Sequence, residues 1–266
     1  MKKLFLVLFM MQVVILGSGN MANAILTSCL NTDLEIVGLF SKTEANKMAM
    51  VNKFQINGYT NFDKIPTNAD LYLLCVNDDA IHEVANDLLA VDGLVVHCSG
   101  LKPITVLNKQ MNQGVFWPIE SINKTSFVNF KNTPVCIEAN SEENYRILEA
   151  FADRLSKNVQ KINSTERQYL HLAATITNNF SNHLIALAKQ ELDLQQLDYT
   201  ILKHLLTNAI NNSFNFEPSK IQTGPAIRND VSTMQKHISL LQNPNTKNLY
   251  ELLSKSIFEF KKNNHA

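Results

Sequence analysis

Short apolar runs rich in β-branched residues alternate along residues 1–162 with segments whose apolar positions recur at helical spacing. The runs predict buried strands at 13–16, 34–40, 71–76, 93–98, 115–117, 134–139 and 159–162. The intervening segments predict helices at 20–30, 43–54, 79–89 and 141–155. Strands that alternate with helices favour right-handed crossovers, so we expect an α/β fold built on a doubly wound, mostly parallel sheet.

The pattern changes near residue 163 and is helical from there onwards. Helices are predicted at 164–194, 199–214, 230–241 and 246–262, with a structured loop at 217–229. Glycine follows the same division, because seven of the eight glycines fall within the first 114 residues and Gly224 stands alone in the rest. We therefore predict two domains, 1–162 and 163–266, of which the second is all-α.

Charge and cysteine content narrow the functional classes. The 266-residue chain carries 24 Lys and Arg residues against 24 Asp and Glu residues, and 45% of its residues are hydrophobic. This balance argues against a nucleic-acid partner, which normally requires a basic excess, and against a disordered chain. The four cysteines form no CxxC pair and have mostly apolar neighbours, which favours buried reduced thiols over disulfides or a metal site.

The first ten residues imitate a signal peptide, with two lysines before an apolar stretch. No small-residue cleavage site follows, and the apolar run continues into the first predicted strand. The run is also too short for a transmembrane helix, which needs about 20 apolar residues, because it ends at Gly17. We expect a cytoplasmic protein with no membrane partner, in which residues 1–10 are dispensable and Met11 is an alternative start.

The strongest chemical signal is a GxGxxA motif between the first strand and the first helix. Gly17 permits a tight turn, Gly19 lets a pyrophosphate approach the backbone, and Ala22 allows close packing of the helix on the strand. This strand–turn–helix context predicts a Rossmann-like dinucleotide site, and the alternative is a glycine turn without a ligand. The predicted cofactor-binding residues here are Gly17, Ser18, Gly19, Asn20, Met21 and Ala22.

The end of the second strand bears on which dinucleotide binds. NAD sites usually place an acid there for the ribose hydroxyls, whereas this chain has Ser41 and Lys42. A cation and a hydroxyl suit a 2′-phosphate, so the sequence predicts NADP as the cofactor. The alternative is a solvated lysine at the start of a helix.

Two further strand ends join the predicted site, because ligands of open α/β sheets bind at the carboxyl ends of the strands. Val76 and Asn77 follow the third strand, and Ser99 and Gly100 follow the fourth, where we expect the nicotinamide. His97 lies inside the fourth strand and is interpreted as a core histidine.

The helical half offers two candidate clusters. His171, Thr175, Asn178 and Asn182 recur at spacings that place them on one face of an α-helix, which indicates either a cleft or a solvated stripe. Arg228 follows a rigid Gly-Pro turn and precedes Asp230. Arg228 could grip a substrate carboxylate or pair with Asp230 to hold the loop, and Asp230 could N-cap the next helix.

These motifs resemble a known family. The segment 14–22 resembles the opening of pyrroline-5-carboxylate reductases and other members of the 6-phosphogluconate dehydrogenase-like superfamily. Over nearly its full length the chain is similar to a bacterial family of NADP oxidoreductases that joins a Rossmann-like domain to a helical domain of unknown function. Asn229 replaces a Gly that is usual in the family. The further matches are 97–100, 173–174, 178–179 and 224–226 with Arg228, Asp230 and His237.

The resemblance implies NADP binding, a helical domain for substrate binding and dimerisation, and a homodimer. The catalytic Lys of the related β-hydroxyacid dehydrogenases is absent, because the comparable stretch offers His171 and Thr175.

We therefore expect an NADP(H)-dependent oxidoreductase acting on an unidentified small carbonyl or imine substrate. His171, Asn178 and Ser99 are the catalytic candidates, and Arg228 and His183 are the substrate-contact candidates. The alternative is a nucleotide-binding or sensing protein without turnover.

Overall fold

A computed structural model of the chain describes residues 10–123, 128 and 130–264. The described residues form one eight-stranded sheet of order β3-β2-β1-β4-β5-β6-β7-β8, in which every neighbouring pair is parallel except β6 and β7. The strands are β1 (Gln12–Leu16), β2 (Glu35–Phe40), β3 (Gly58–Tyr59), β4 (Leu71–Leu74), β5 (Leu94–His97), β6 (Gln113–Pro118), β7 (Val135–Ala139) and β8 (Val159–Lys161). The predicted α/β fold with a doubly wound, mostly parallel sheet is confirmed. Of the predicted dispensable segment 1–10, residues 1–9 lie outside the described residues.

Strand β1 shows why the sheet is covered on both faces. Its residues Val13 and Ile15 pack with helices α1 (Asn20–Cys29) and α4 (Glu142–Leu155). The alternate residues Val14 and Leu16 pack with helix α3 (Ile81–Asp87) on the opposite face. All four side chains are fully buried, which explains why the strand is a continuous apolar run rather than an alternating one. Helix α2 (Glu44–Phe54) follows β2 and contributes Met50 to the same core as α1.

Helix α5 (Ser164–Ala174) is held against the sheet by the buried side chain of Arg167. The Arg167 side chain is fully buried, pairs with Glu138 of β7 through Nη1, and donates from Nη2 to the Lys102 carbonyl at 2.6 Å. The Ser164 hydroxyl lies 2.8 Å from a carboxylate oxygen of Glu138 and accepts from the Ile104 amide at 3.1 Å. The first compact unit runs to Thr175, so it includes α5, which lies beyond the predicted domain boundary at residue 162.

The second compact unit, Ile176–Ala266, is helical in its described part. Its helices are α6 (Ser181–Asp193), α7 (Lys203–Asn215), α8 (Pro218–Ile221), α9 (Pro225–Arg228), α10 (Val231–Leu240) and α11 (Pro244–Asn264). The predicted loop 217–229 is wrong in detail, because it holds the one-turn helices α8 and α9, each begun by a proline at a favourable N-terminal position. No described helix is both long enough and apolar enough to cross a membrane.

The predicted continuous helix over 164–194 is also interrupted. A π-helical turn, Thr175–Phe180, separates α5 from α6. Because a π turn holds more residues than an α turn, the spacing used to align His171 with Asn178 and Asn182 does not apply across it. The predicted polar stripe is therefore wrong as a regular α-helical face.

The four cysteines are free and buried, as predicted. Burial raises the pKa of the Cys29 thiol to about 12 and that of Cys136 to about 11, so both remain protonated at neutral pH. The Cys75 and Cys98 sulfurs lie 3.9 Å apart without a covalent bond.

His97 gives the fold a defined pH dependence. Its side chain is fully buried, and burial, followed by the nearby Arg167 cation, lowers its pKa from 6.5 to about 3. As the pH falls from 6.5 towards 3, His97 therefore binds a proton in the unfolded chain but stays neutral in the folded chain. We expect this group to lower the free energy of unfolding by about 1.4 kcal/mol per pH unit in that window.

The measurement is urea unfolding of wild type and His97→Leu at several pH values between 7 and 4. The variant should lose part of the slope whatever its absolute stability, whereas His82→Gln, at an exposed histidine, should keep it. Equal slopes in wild type and His97→Leu would contradict the assignment.

Candidate functional site

A cavity of about 280 Å³ lies at the carboxyl ends of β1, β2 and β4. Because β1 lies between β2 and β4 in the sheet, the turns after these three strands meet at one edge. The cavity is lined by Gly17, Ser18, Gly19, Phe40, Ser41, Lys42, Thr43, Asn46, Cys75, Val76, Asn77, Ala80 and Val84. The structure thus brings together seven of the predicted cofactor-binding residues: Gly17, Ser18, Gly19, Ser41, Lys42, Val76 and Asn77.

Gly17 is required by the protein's own structure. Its φ of 127° lies in a region that favours glycine, and its amide donates to the Phe40 carbonyl at 2.8 Å. A Cβ at this position would lie 2.3 Å from the carbonyl oxygen of Cys75. The turn after β1 therefore needs glycine to pass between the ends of the neighbouring strands.

Gly19 differs, because nothing in the protein requires a glycine there. Its φ of −80° and ψ of −168° suit any residue, and a Cβ would meet no atom within 4 Å. Gly19 lines the cavity, so the space that a side chain would fill is open to a ligand. A pyrophosphate approaching the backbone fits this space, and the GxGxxA motif predicted a glycine here for that purpose.

Helix α1 begins directly after Gly19 and suits an anion. Its N-cap makes no side-chain hydrogen bond and its first turn holds no acidic residue, so its first amide groups have no competing carboxylate. Of the other predicted residues, Asn20 is exposed, Met21 packs on the core and Ala22 is fully buried against the sheet. Ala22 therefore has the packing role expected of the motif's last residue.

The end of β2 supplies the polar side of the cavity. The Ser18 and Ser41 hydroxyl oxygens lie 2.8 Å apart, and Ser41 is buried. Lys42 forms an ion pair with Glu83 of α3, with 2.7 Å between Nζ and Oε1. The hydrogen bond to Glu83 raises the Lys42 pKa, and this lysine is exposed to solvent and at the same time paired. Glu83 had no signal in the sequence, because its partner lies in a different crossover.

Ser99 and Gly100 lie in a tight turn after β5. The Ser99 hydroxyl donates to Asp78 at 2.8 Å and accepts from the amides of Leu101 at 3.1 Å and Lys102 at 2.9 Å. The single hydroxyl proton and both lone pairs are used, so these contacts hold the turn. A Cβ at Gly100 would lie 2.7 Å from the Trp117 ring, which explains this glycine by packing.

His171 lies beside the same turn. Its ring packs edge-to-face on Trp117 with 5.7 Å between centroids, and its Nδ1 would lie 2.9 Å from a Cβ at Gly100. His171 is half-buried and is placed one helical turn after the anchored Arg167. Trp117 was missed as a site residue, although its position at the end of a predicted strand was a usable signal.

The remaining candidates belong to the second unit and are exposed. Asn178 lies in the π turn and donates to the Asn179 side chain at 3.3 Å, and His183 lies on α6. Arg228 ends α9 and forms no hydrogen bond or ion pair with any residue that the structure describes.

Of the two roles considered for Arg228, a direct pair with Asp230 is not formed, and Arg228 acts on Asp230 only through its nearby charge. The Asp230 carboxylate instead accepts from the Thr233 amide at 3.1 Å and from its hydroxyl at 2.7 Å. Asp230 thereby caps α10, as predicted, and these bonds lower its pKa. Asn229 has a φ of 56°, so it takes the left-handed conformation expected where the related family has glycine.

Comparison with known proteins connects this geometry to a family. Residues 11–113 match the model of an oxidoreductase family with an NAD-binding Rossmann fold, and residues 133–257 match a domain of unknown function, DUF2520. A protein from Bacteroides fragilis named "putative NADP oxidoreductase" is 33% identical, with a TM-score of 0.87 over 94% of this chain and 98% of that one. No curated protein matches the sequence.

Two more distant structures share the fold. A Thermotoga maritima protein is 21% identical, with a TM-score of 0.69 over 96% of this chain and all of its own, 100%. A 1-pyrroline-5-carboxylate reductase from Streptococcus pyogenes is 14% identical, with a TM-score of 0.61 over 95% of this chain and 98% of that one.

The two motif glycines should separate stability from binding. Gly17→Ala places a Cβ 2.3 Å from a backbone oxygen at a positive φ, so it should lower the free energy of unfolding by about 3 kcal/mol. Gly19→Ala meets no protein atom and should leave the melting temperature unchanged, while weakening NADPH binding by about tenfold. Thermal denaturation and calorimetric titration of both variants test this, and a Gly19→Ala protein with wild-type NADPH affinity would contradict the ligand explanation.

Proposed function

Because this chain belongs to the family of oxidoreductases that join an NAD(P)-binding Rossmann domain to a DUF2520 domain, we propose that it transfers a hydride between NADP(H) and a small carbonyl or imine substrate. The observation that carries the proposal is the cavity beside Gly19, where a missing side chain has no explanation within the protein. The start of α1 would hold the pyrophosphate, and Ser41 and Lys42 would hold the 2′-phosphate. When bound, the reduced nicotinamide supplies the hydride.

Residue roles follow from the contacts of each side chain. His171 is the proposed proton donor, since its ring is held by Trp117 and Gly100 while remaining half-buried. Ser99 is assigned to holding the turn after β5, because its hydroxyl is fully hydrogen-bonded. Gly100 belongs to the same turn and stays in the proposed nicotinamide region.

Asn178, His183 and Arg228 stay proposed substrate contacts. Arg228 is the most specific of them, because a guanidinium without an ion pair in the described part of the chain can bind a substrate carboxylate in a bidentate manner.

A nucleotide-binding or sensing protein without turnover is the second candidate. It is favoured by the Ser99 hydrogen bonds, because they occupy the hydroxyl of one catalytic candidate. His171 is then the one catalytic candidate of the first unit whose side chain has no hydrogen bond among the described residues. Monitoring NADPH absorbance against a panel of imines, 2-oxo acids and aldehydes decides between the two. Turnover that His171→Gln abolishes supports the oxidoreductase, and binding without turnover on any member supports the sensor.

The choice of NADPH depends on Lys42 in this proposal. Lys42→Glu should weaken NADPH binding by about tenfold or more, because it replaces the cation with an anion beside the 2′-phosphate, and should change NADH binding far less. Calorimetric titration measures both affinities. Lys157→Glu makes the same charge change after α4, away from the cavity, and should change neither. Equal affinity of the wild-type protein for NADPH and NADH would contradict the preference.

The second unit supports the proposal of a homodimer. Among its described residues Ala226 alone is buried, while Leu205, Ile210 and Phe214 on α7 are 66%, 58% and 87% exposed. So much exposed apolar surface on one helix is unusual for a monomer and indicates a protein contact. We assign this surface to a second copy of the chain, as the resemblance to the dimeric family implies.

Sedimentation should therefore give twice the mass of the chain. Phe214→Asp introduces a charge into the exposed surface of α7 and should shift the protein towards monomer at micromolar concentration. Met111→Asp is the matched control, because Met111 is 84% exposed in the first unit. A wild-type monomer, or equal dissociation by both variants, would overturn the assignment.

A further inference from the structure

The Lys42–Glu83 ion pair spans two different crossovers of the sheet. Lys42 follows β2, and Glu83 lies on α3, which follows β4. Lys42 lines the cavity, and so do Ala80 and Val84, which flank Glu83 along the chain. The carboxylate is therefore at the rim of the cavity, bonded to the cation that we assign to the 2′-phosphate.

The pair changes what this edge of the cavity can recognise. NAD sites usually place an acid at the end of the second strand to accept from the ribose hydroxyls. This chain has Ser41 and Lys42 there instead of an acid. The Glu83 carboxylate of α3 reaches this edge of the cavity, where it bonds Lys42. The edge thus holds both a cation suited to a phosphate and an acceptor suited to a hydroxyl.

We propose that Glu83 sets the preference between NADPH and NADH by competing with the 2′-phosphate for Lys42. This rests on the proposed cofactor function. A phosphate oxygen that bonds the Lys42 ammonium must replace Glu83 or come to lie beside it, and two anions at one ammonium repel each other. A ribose hydroxyl has no charge and can donate to Glu83 while the ion pair remains. Glu83 therefore lowers the preference for NADPH that Lys42 creates.

The strength of the effect follows from exposure. The side chains of Lys42 and Glu83 are 57% and 59% exposed, so water screens the pair and its contribution is modest. The pair is therefore readily exchanged, which a competing phosphate requires. Asp87, one turn further along α3, also raises the Lys42 pKa, but forms no hydrogen bond with Lys42. Its longer-range charge is a natural control for the direct contact.

Calorimetric titration of NADPH, NADH, 2′,5′-ADP and 5′-AMP into wild type, Glu83→Gln and Asp87→Asn tests the proposal. The two adenosine nucleotides differ by the 2′-phosphate alone. Glu83→Gln removes the charge with little change in shape, and should raise the affinity for NADPH and 2′,5′-ADP by about three- to tenfold. The affinity for NADH and 5′-AMP should stay the same or fall. Asp87→Asn should change the ratio between the paired ligands by less than about twofold.

An unchanged or lowered NADPH-to-NADH preference in Glu83→Gln would overturn the inference, as would an equal rise in Asp87→Asn. In either case the proposed function stands if the wild-type protein binds the dinucleotides. A wild-type protein that binds neither dinucleotide would overturn the proposed function and this inference together. Because both side chains are exposed, Glu83→Gln should keep the wild-type melting temperature, which checks that the variant is folded.

Discussion

The buried ion pair between Arg167 and Glu138 is the constraint on which the arrangement of the first unit depends. A charged pair in the interior is costly unless its remaining groups are hydrogen-bonded. Here the Lys102 carbonyl and the Ser164 hydroxyl accept from Arg167 Nη2, while the buried Arg167 Nε has no hydrogen-bond partner among the residues that the structure describes. The network joins the start of α5 to β7 and to the segment after β5. Burial, followed by the nearby Arg167 cation, also lowers the His97 pKa and keeps that side chain neutral. Removing either partner would leave an uncompensated charge in the interior and release α5 from the sheet.

The position of His171 is a consequence of this anchor. Arg167 and His171 are four residues apart on α5 and therefore lie on the same face of the helix. The contacts that anchor Arg167 thus also orient His171. That face meets Trp117 of β6 and the backbone of Gly100, where there is no room for a Cβ. The proposed proton donor is thus held by packing, while the cavity at Gly19 is formed independently by the turns after β1, β2 and β4. The hydrogen-bonded network that fixes α5 therefore shares no residue with the lining of the cavity.

Local patterns predicted the strands, the glycine motif and most helices, because burial on both faces of a parallel sheet and the tight turn after β1 impose a direct sequence requirement. The two-residue strand β3 was missed, since so short a strand has no periodicity. The π turn Thr175–Phe180 was missed because its residues continue the helical spacing of the flanking segments. Partners distant in sequence were also missed: Glu83 lies 41 residues from Lys42, and Trp117 meets His171 from another element. Such pairs depend on topology, which no single segment encodes.

In the second unit, too, the sequence predicted the elements but not their contacts. Its helical periodicity was readable, yet Ala226 is the one buried residue in its described part, so the apolar positions predicted helices without predicting what covers them. Phe180 and Leu184, both exposed, lie beside the proposed substrate contacts Asn178 and His183 on the same stretch of helix. Covering those apolar side chains with a second copy would restrict the motion of the neighbouring polar ones. In the proposed function, a dimer surface that extends from α7 to this stretch of α6 would therefore couple assembly to the ordering of these substrate contacts.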